Sequence, residues 1–118
     1  MQFHGVDVPR QFKRMRELAP EPFRAWLEFD KKAFQAGAID KKTKELIALC
    51  IGVAGHCDAC IAFHVKALVK LDATRSEIEE ALGVAVYMGG GPSLMYAADA
   101  MAAFEQLSLV SMPAAQVA

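Results

Sequence analysis

Two cysteines and a histidine stand close together in the middle of the chain, at positions 57, 60 and 64. This spacing places them within about 60° of one another on one face of an α-helix. Cysteines three residues apart on a helix have Cα atoms about 5 to 6 Å apart, a separation that a disulfide can bridge. We therefore predict that Cys57 and Cys60 form a reversible disulfide and that His64 transfers protons beside them.

Zinc binding is the competing chemistry for the same side chains. Cys57, Cys60 and His64 would supply three ligands, and the fourth would come from Glu45, His56 or a water. Structural zinc sites usually draw their ligands from two separate pairs, and the chain has no second Cys or His pair. We expect neither a metal ion nor another cofactor.

The remaining reactive residues have simpler interpretations. Cys50 lies between Leu49 and Ile51 and is expected to be a small buried hydrophobic residue. His56 precedes Cys57 but lies off the face that carries the reactive side chains, so we interpret it as a polar residue at a helix entry. Asp30 falls within an apolar helix face, where an acid is usually half-exposed or paired.

Helices must position all of these residues, because no alternating strand pattern of useful length occurs. Asp40 is a candidate N-cap, Gly37 a candidate C-cap, and Thr74 with Glu77 forms a capping-box signature. The glycines before Pro92 lack the strand and the Gly-Lys-Ser/Thr ending of a phosphate loop, so they predict a turn between helices. One helix begins around Pro9 and ends before Pro20; the others span about 21–35, 40–54, 57–70, 74–88 and 93–107.

Length and composition predict one compact domain over residues 1–118, and the helical patterns predict that it is all-α with about six helices. Hydrophobic residues make up 54% of the chain, a surplus that favours self-association. The net charge of -1 gives no support for nucleic-acid binding. A helix that crosses a membrane needs about 20 apolar residues, and the longest apolar run, Leu46–Gly55, is shorter. The N-terminus lacks the pattern of a secretory signal. We therefore expect a cytoplasmic protein.

A wider pattern surrounds the reactive residues: Glu45, eleven residues, Cys57-Asp58-Ala59-Cys60, three residues and His64. This arrangement resembles the AhpD-like alkylhydroperoxidase branch of the carboxymuconolactone decarboxylase family. The segments 40–47 and 77–81 resemble that family as well. The resemblance implies an all-helical subunit that assembles into a homotrimer or homohexamer.

The resemblance also implies a thiol-dependent peroxidase. One thiolate attacks a small hydroperoxide and becomes a sulfenic acid, which the other cysteine converts into a disulfide. By the family's pattern Cys60 attacks and Cys57 resolves, whereas the position of Cys57 at a helix start favours Cys57 as the more acidic thiol. Glu45 and His64 would form the proton relay. A dithiol or a thioredoxin-type partner would then reduce the disulfide.

Other functions remain open at this point. Ala59 stands where efficient peroxidases of the family tend to carry a histidine, so a general thiol-disulfide oxidoreductase without peroxidase activity is the alternative enzyme. A helical assembly whose thiols only sense redox state is the non-enzymatic alternative. Lactone decarboxylation is disfavoured, because the family's decarboxylases do not rely on a Cys-X-X-Cys pair.

Overall fold

The computed structural model describes residues 2–3 and 6–111, and the side chains of residues 7–110. Two short strands, β1 (Gln2–Phe3) and β2 (Val6–Asp7), pair antiparallel at the start of the chain. Every other regular element in the described part is a helix, as the sequence predicts. The helices are α1 (Val8–Leu18), α2 (Pro20–Phe34), α3 (Lys41–Ala54), α4 (Asp58–Lys70), α5 (Arg75–Gly89) and α6 (Gly91–Ser111).

The last four helices form a bundle. α3 packs against α4 and α5, and α6 closes the bundle by packing against the same two helices. The core side chains are buried and apolar, at the helical spacing that the sequence shows. They include Leu49, Val53, Ile61, Val65, Leu68, Ile78, Leu82, Ala85, Ala100 and Phe104.

Helix ends within the bundle follow their capping residues. The Asp40 side chain accepts a hydrogen bond from the backbone of Thr43, and Thr74 and Glu77 form both bonds of a capping box. Gly90 ends α5 with a φ of 82°, in the left-handed region that glycine adopts without a steric penalty. These three signals were therefore predicted correctly from the sequence.

The ends of two helices differ from the prediction. α2 ends at Phe34 with Gln35 as its C-cap in an extended conformation, so the prediction of Gly37 as the cap is wrong. Lys44 satisfies the end of α2 instead: its ammonium group donates hydrogen bonds to the carbonyls of Ala33 and Gln35, at 3.1 and 2.6 Å respectively. α6 extends from Gly91 to Ser111, so it is longer at both ends than the predicted 93–107.

α1 and α2 form a helical hairpin outside the bundle. α2 has no buried residue, and α1 has only Val8. The hairpin rests on α4 through Phe12, whose ring lies 5.5 Å from that of Phe63. None of the described helices is long and apolar enough to span a membrane.

Candidate functional site

The turn between α3 and α4 positions the first cysteine of the pair. His56 adopts a left-handed conformation with a φ of 55°. Its backbone N–H donates to the carbonyl of Val53, and the N–H of Cys57 donates to the carbonyl of Gly52 at 2.9 Å. These two bonds form a Schellman motif, which satisfies the last carbonyls of α3 and reverses the chain. Cys57 therefore lies at the N-cap of α4.

Cys57 and Cys60 are joined by a disulfide, with their Cα atoms 5.3 Å apart. The predicted pairing is thus present, although Cys57 precedes the helix that was expected to include it. Its sulfur also accepts a hydrogen bond from the backbone N–H of Cys60 at 3.2 Å, as an N-cap side chain does. On α4 itself, Cys60 and His64 are one turn apart.

Gly52 allows α3 to approach the cysteine pair closely. A Cβ atom at this position would lie 3.1 Å from the Cβ of Cys60 and 3.7 Å from the backbone nitrogen of Ile61. The first contact is tighter than ordinary van der Waals distance. A side chain at position 52 would therefore push the reactive turn away from α3.

Glu45 and His64 are paired beneath the surface. The Nδ1–H of His64 donates to Oε2 of Glu45 at 2.7 Å, and the side chains are 15% and 5% exposed, respectively. A carboxylate that accepts from one imidazole nitrogen fixes the ring's tautomer and orientation. Nε2 is then the nitrogen that can exchange a proton with a substrate.

Two aromatic rings hold the imidazole of His64 in place. Phe34 of α2 stacks on it with ring centroids 5.5 Å apart, and Phe63 meets it edge-on at 5.3 Å. The hydrogen bonds from Lys44 to the end of α2 keep Phe34 over the site. The position of His64 thus depends on side chains from three helices.

An aromatic cavity of about 230 Å³ lies between the hairpin and α4. Cys60 and His64 both line it, whereas Cys57 does not. The hairpin supplies Trp26 and Asp30 among other residues, so the acid singled out in the sequence lines the same cavity as Cys60. The remaining lining residues are Phe12, Phe29, Ala33, Phe34, Ala59 and Phe63. We name this space the aromatic cavity.

His56 has partners that its local sequence does not reveal. Its Nε2 and the hydroxyl of Ser93 lie 3.1 Å apart, and its ring stacks on Tyr96 with centroids 4.6 Å apart. Ser93 is fully buried and stands on α6, far from His56 in the sequence. The sequence places a serine near the start of the last helix but carries no signal that pairs it with His56.

Cys50 is a free cysteine that is only partly buried against the core, whereas the sequence predicts a buried residue. Its thiol donates to the carbonyl of Ala81 at 3.2 Å, and burial raises the pKa of this thiol. Across the residues that the structure describes, no three His, Cys, Asp or Glu side chains are grouped as metal ligands would be.

Two relatives of the sequence have names that describe no function. It is 36% identical over 103 residues to an uncharacterized protein of Cupriavidus necator, covering 87% of this chain and 91% of that protein. It is 37% identical over 83 residues to an uncharacterized protein encoded in the cox locus of Paracoccus denitrificans, covering 70% of this chain and 75% of that protein.

Two crystal structures resemble the fold closely. One is a carboxymuconolactone decarboxylase family protein from Legionella pneumophila, with 53% identity, a TM-score of 0.82, and coverage of 86% of this chain and 91% of that chain. The other is a protein of the same family from Thermotoga maritima, whose description suggests a role in the antioxidative response. It has 28% identity and a TM-score of 0.76, and the match covers 86% of this chain and 87% of that chain. Residues 20–103 match the model of the same family, and the chain therefore belongs to the carboxymuconolactone decarboxylase family.

Proposed function

We propose that this protein is a thiol-dependent peroxidase that reduces organic hydroperoxides. The observation that carries the proposal is that Cys60, one half of a disulfide, shares an aromatic cavity with His64. His64 is in turn hydrogen-bonded to the buried carboxylate of Glu45. A nucleophile, a proton-transfer group and a group that orients it are the components that such chemistry needs.

Cys60 is the attacking thiol and Cys57 the resolving one. Cys60 lines the cavity that a peroxide would enter, and Cys57 does not. Cys60 also lies in the first turn of α4, where the backbone N–H groups favour a thiolate. The position of Cys57 at the N-cap favours its acidity too, but access to the cavity favours Cys60 as the attacking thiol.

The reaction balances within the cysteine pair. The thiolate of Cys60 attacks the terminal oxygen of the hydroperoxide, the O–O bond breaks, and the departing alkoxide takes up a proton as an alcohol. The sulfenic acid on Cys60 then condenses with the thiol of Cys57 and releases water. The peroxide gains the two electrons that the cysteines lose as the disulfide forms, and an external dithiol restores both thiols.

Glu45 and His64 move the protons. With Nδ1 bound to Glu45, Nε2 of His64 takes the proton from a thiol and returns it to the alkoxide. The neighbouring carboxylate stabilises the imidazolium that forms between these steps. Burial of the pair strengthens this interaction, because little water screens it.

A thiol-disulfide oxidoreductase is the second candidate, and Ala59 favours it. Ala59 lines the aromatic cavity beside Cys60, so this position supplies no second histidine for peroxide chemistry. Hydroperoxide consumption with dithiothreitol as donor, compared with reduction of a protein disulfide such as insulin, separates the two functions. Cys50→Ser is the matched control, because it removes a thiol outside the site.

We expect Cys60→Ser to lose peroxide turnover and Cys50→Ser to keep it. Insulin reduction without any peroxide turnover would establish the second candidate instead. If neither substrate reacts but the disulfide still forms reversibly, the protein is a redox-sensing assembly.

Assembly into a homo-oligomer is part of the proposal. The outer faces of α5 and α6 expose five large apolar side chains, each more than half exposed: Val84, Tyr87, Met88, Leu94 and Met95. A groove of about 420 Å³ lies between the two helices, and Leu94 and Met95 line it. Exposed apolar side chains on neighbouring helices favour an interface, and a second copy of the chain would cover them. Light scattering coupled to gel filtration tests this, and a mass of 12.8 kDa, that of one chain, would contradict it.

A further inference from the structure

A second and larger cavity adjoins the aromatic cavity. It has a volume of about 650 Å³ and lies among α1, α2, α3 and α4. Its lining combines an apolar surface with the side chains of Lys31, Lys41, Lys66 and Lys70. We name it the lysine cavity. An apolar space lined by several cationic groups is suited to a molecule that is apolar along its length and anionic at one end.

The charges in the lysine cavity leave a positive excess. Two carboxylates, those of Asp30 and Glu45, line it together with the four lysines. Glu45 is already bound to His64, and Lys31 makes only a loose 3.8 Å ion pair with Glu28 on the outside. Among residues 7–110, no carboxylate lies within ion-pair distance of the other three lysines.

The two cavities share a wall. Phe12, Asp30, Phe34 and Phe63 line both of them, and α4 runs along both. Cys60 stands at one end of this path and Lys70 at the other. With a rise of about 1.5 Å per residue, the backbone positions of these two residues are about 15 Å apart along the helix.

We propose that the lysine cavity binds the carboxylate of an amphipathic hydroperoxide whose peroxide group reaches Cys60. The substrate class is a long-chain fatty-acid hydroperoxide, with its apolar chain lying against the shared phenylalanine rings. The claim that this hydroperoxide is a substrate rests on the peroxidase function proposed above. The claim that its carboxylate binds among the lysines rests on the cavity alone, so the two claims are tested separately.

Binding is measured first, without any peroxide. Decanoate and decanol have the same chain, and only the former carries a charge. Calorimetry gives their affinities, and the fluorescence of Trp26, the single tryptophan, reports occupancy of the aromatic cavity. We expect the carboxylate to bind about fivefold or more tightly than the alcohol at low salt, with the difference shrinking as salt is added.

The double variant Lys66→Gln/Lys70→Gln should remove most of that difference while leaving decanol binding unchanged. Lys32→Gln is the matched control, because Lys32 lies on α2 and lines neither cavity. Equal affinities for acid and alcohol in the wild type would overturn the proposal. So would an unaltered preference in the double variant, or the absence of binding by either compound.

Turnover is measured second, with linoleic acid hydroperoxide and its methyl ester. We expect the acid to have a KM about fivefold lower than that of the ester, and the double variant to raise the KM of the acid alone. Equal KM values for acid and ester would overturn the substrate assignment. Carboxylate-dependent binding without any peroxide turnover would instead overturn the peroxidase function and leave the anion site in place.

Discussion

The four-helix bundle and the α1–α2 hairpin differ in how firmly they are held. Leu49, Ile61 and Leu68 of the bundle are completely buried, whereas α2 buries no residue at all and exposes Phe29 by 69%. The bundle carries Glu45 and the cysteine pair. The hairpin carries most of the wall of the aromatic cavity.

The difference in packing matches a difference in role: the bundle holds the catalytic groups, and the hairpin forms the cavity wall that a substrate would contact. Catalytic groups must keep a fixed geometry, which well-packed helices provide. A cavity wall that admits a substrate has to move, and elements with few buried contacts open at low cost in free energy. We therefore expect substitutions in the bundle to affect stability and chemistry, and those in the hairpin to affect the choice of substrate.

The largest expected effect concerns the buried pair in the bundle. Glu45→Gln or His64→Gln should lower peroxide turnover by about 100-fold, because proton transfer to and from the cysteines loses its relay. The disulfide should still form slowly. Steady-state kinetics with a dithiol donor measures the effect, and Glu80→Gln, on the exposed face of α5, is the matched control. A wild-type rate in Glu45→Gln would refute the relay.

Stability gives the next largest contrast. Leu68→Ala should lower the free energy of unfolding by about 2 to 5 kcal/mol, because it leaves a cavity in the core. Leu18→Ala, at a position 66% exposed on α1, should cost less than about 1 kcal/mol. Urea unfolding of both variants provides the comparison. Similar losses would show that the hairpin is as firmly packed as the bundle.

Substitution of Trp26 tests the hairpin's role in recognition. Trp26→Ala removes apolar contact area from the aromatic cavity and should raise the KM for cumene hydroperoxide about fivefold. The rate with hydrogen peroxide should not change, because that substrate makes no such contacts. Leu27→Ala is the control, since Leu27 does not line the cavity. An equal loss with both peroxides would mean that Trp26 supports the site itself.

The smallest expected effect concerns Cys50, a bundle cysteine outside the site. Since burial raises the pKa of its thiol, less of the reactive thiolate is present at mildly alkaline pH than in a small thiol. In the variant lacking Cys57 and Cys60, alkylation by iodoacetamide should be slower than that of glutathione and should accelerate as the pH rises. A rate equal to that of glutathione at pH 8 would contradict the burial of this thiol.

Local patterns in the sequence predicted much of the bundle and part of the site. Capping at Asp40 and Thr74 depends only on residues that are neighbours in the chain, so the sequence predicted it directly. The cysteine pairing followed from the spacing of Cys57 and Cys60. The resemblance to a known family, rather than the residues alone, connected Glu45 to His64.

Contacts between distant segments could not be predicted in this way. His56 meets Ser93 across 37 residues, and the end of α2 is held by Lys44 instead of by Gly37. The lysine cavity combines residues from four helices whose relative positions no local pattern specifies. Tertiary packing determines these features, so they emerge only from the fold.

The most direct test of the central claim is a count of free thiols under denaturing conditions, before and after one equivalent of tert-butyl hydroperoxide. Reduced wild type has three cysteines and should lose two thiols rapidly, keeping Cys50. Cys57→Ser should accumulate a sulfenic acid on Cys60 that dimedone traps, and Cys60→Ser should not. Survival of all three thiols in the wild type would contradict the account.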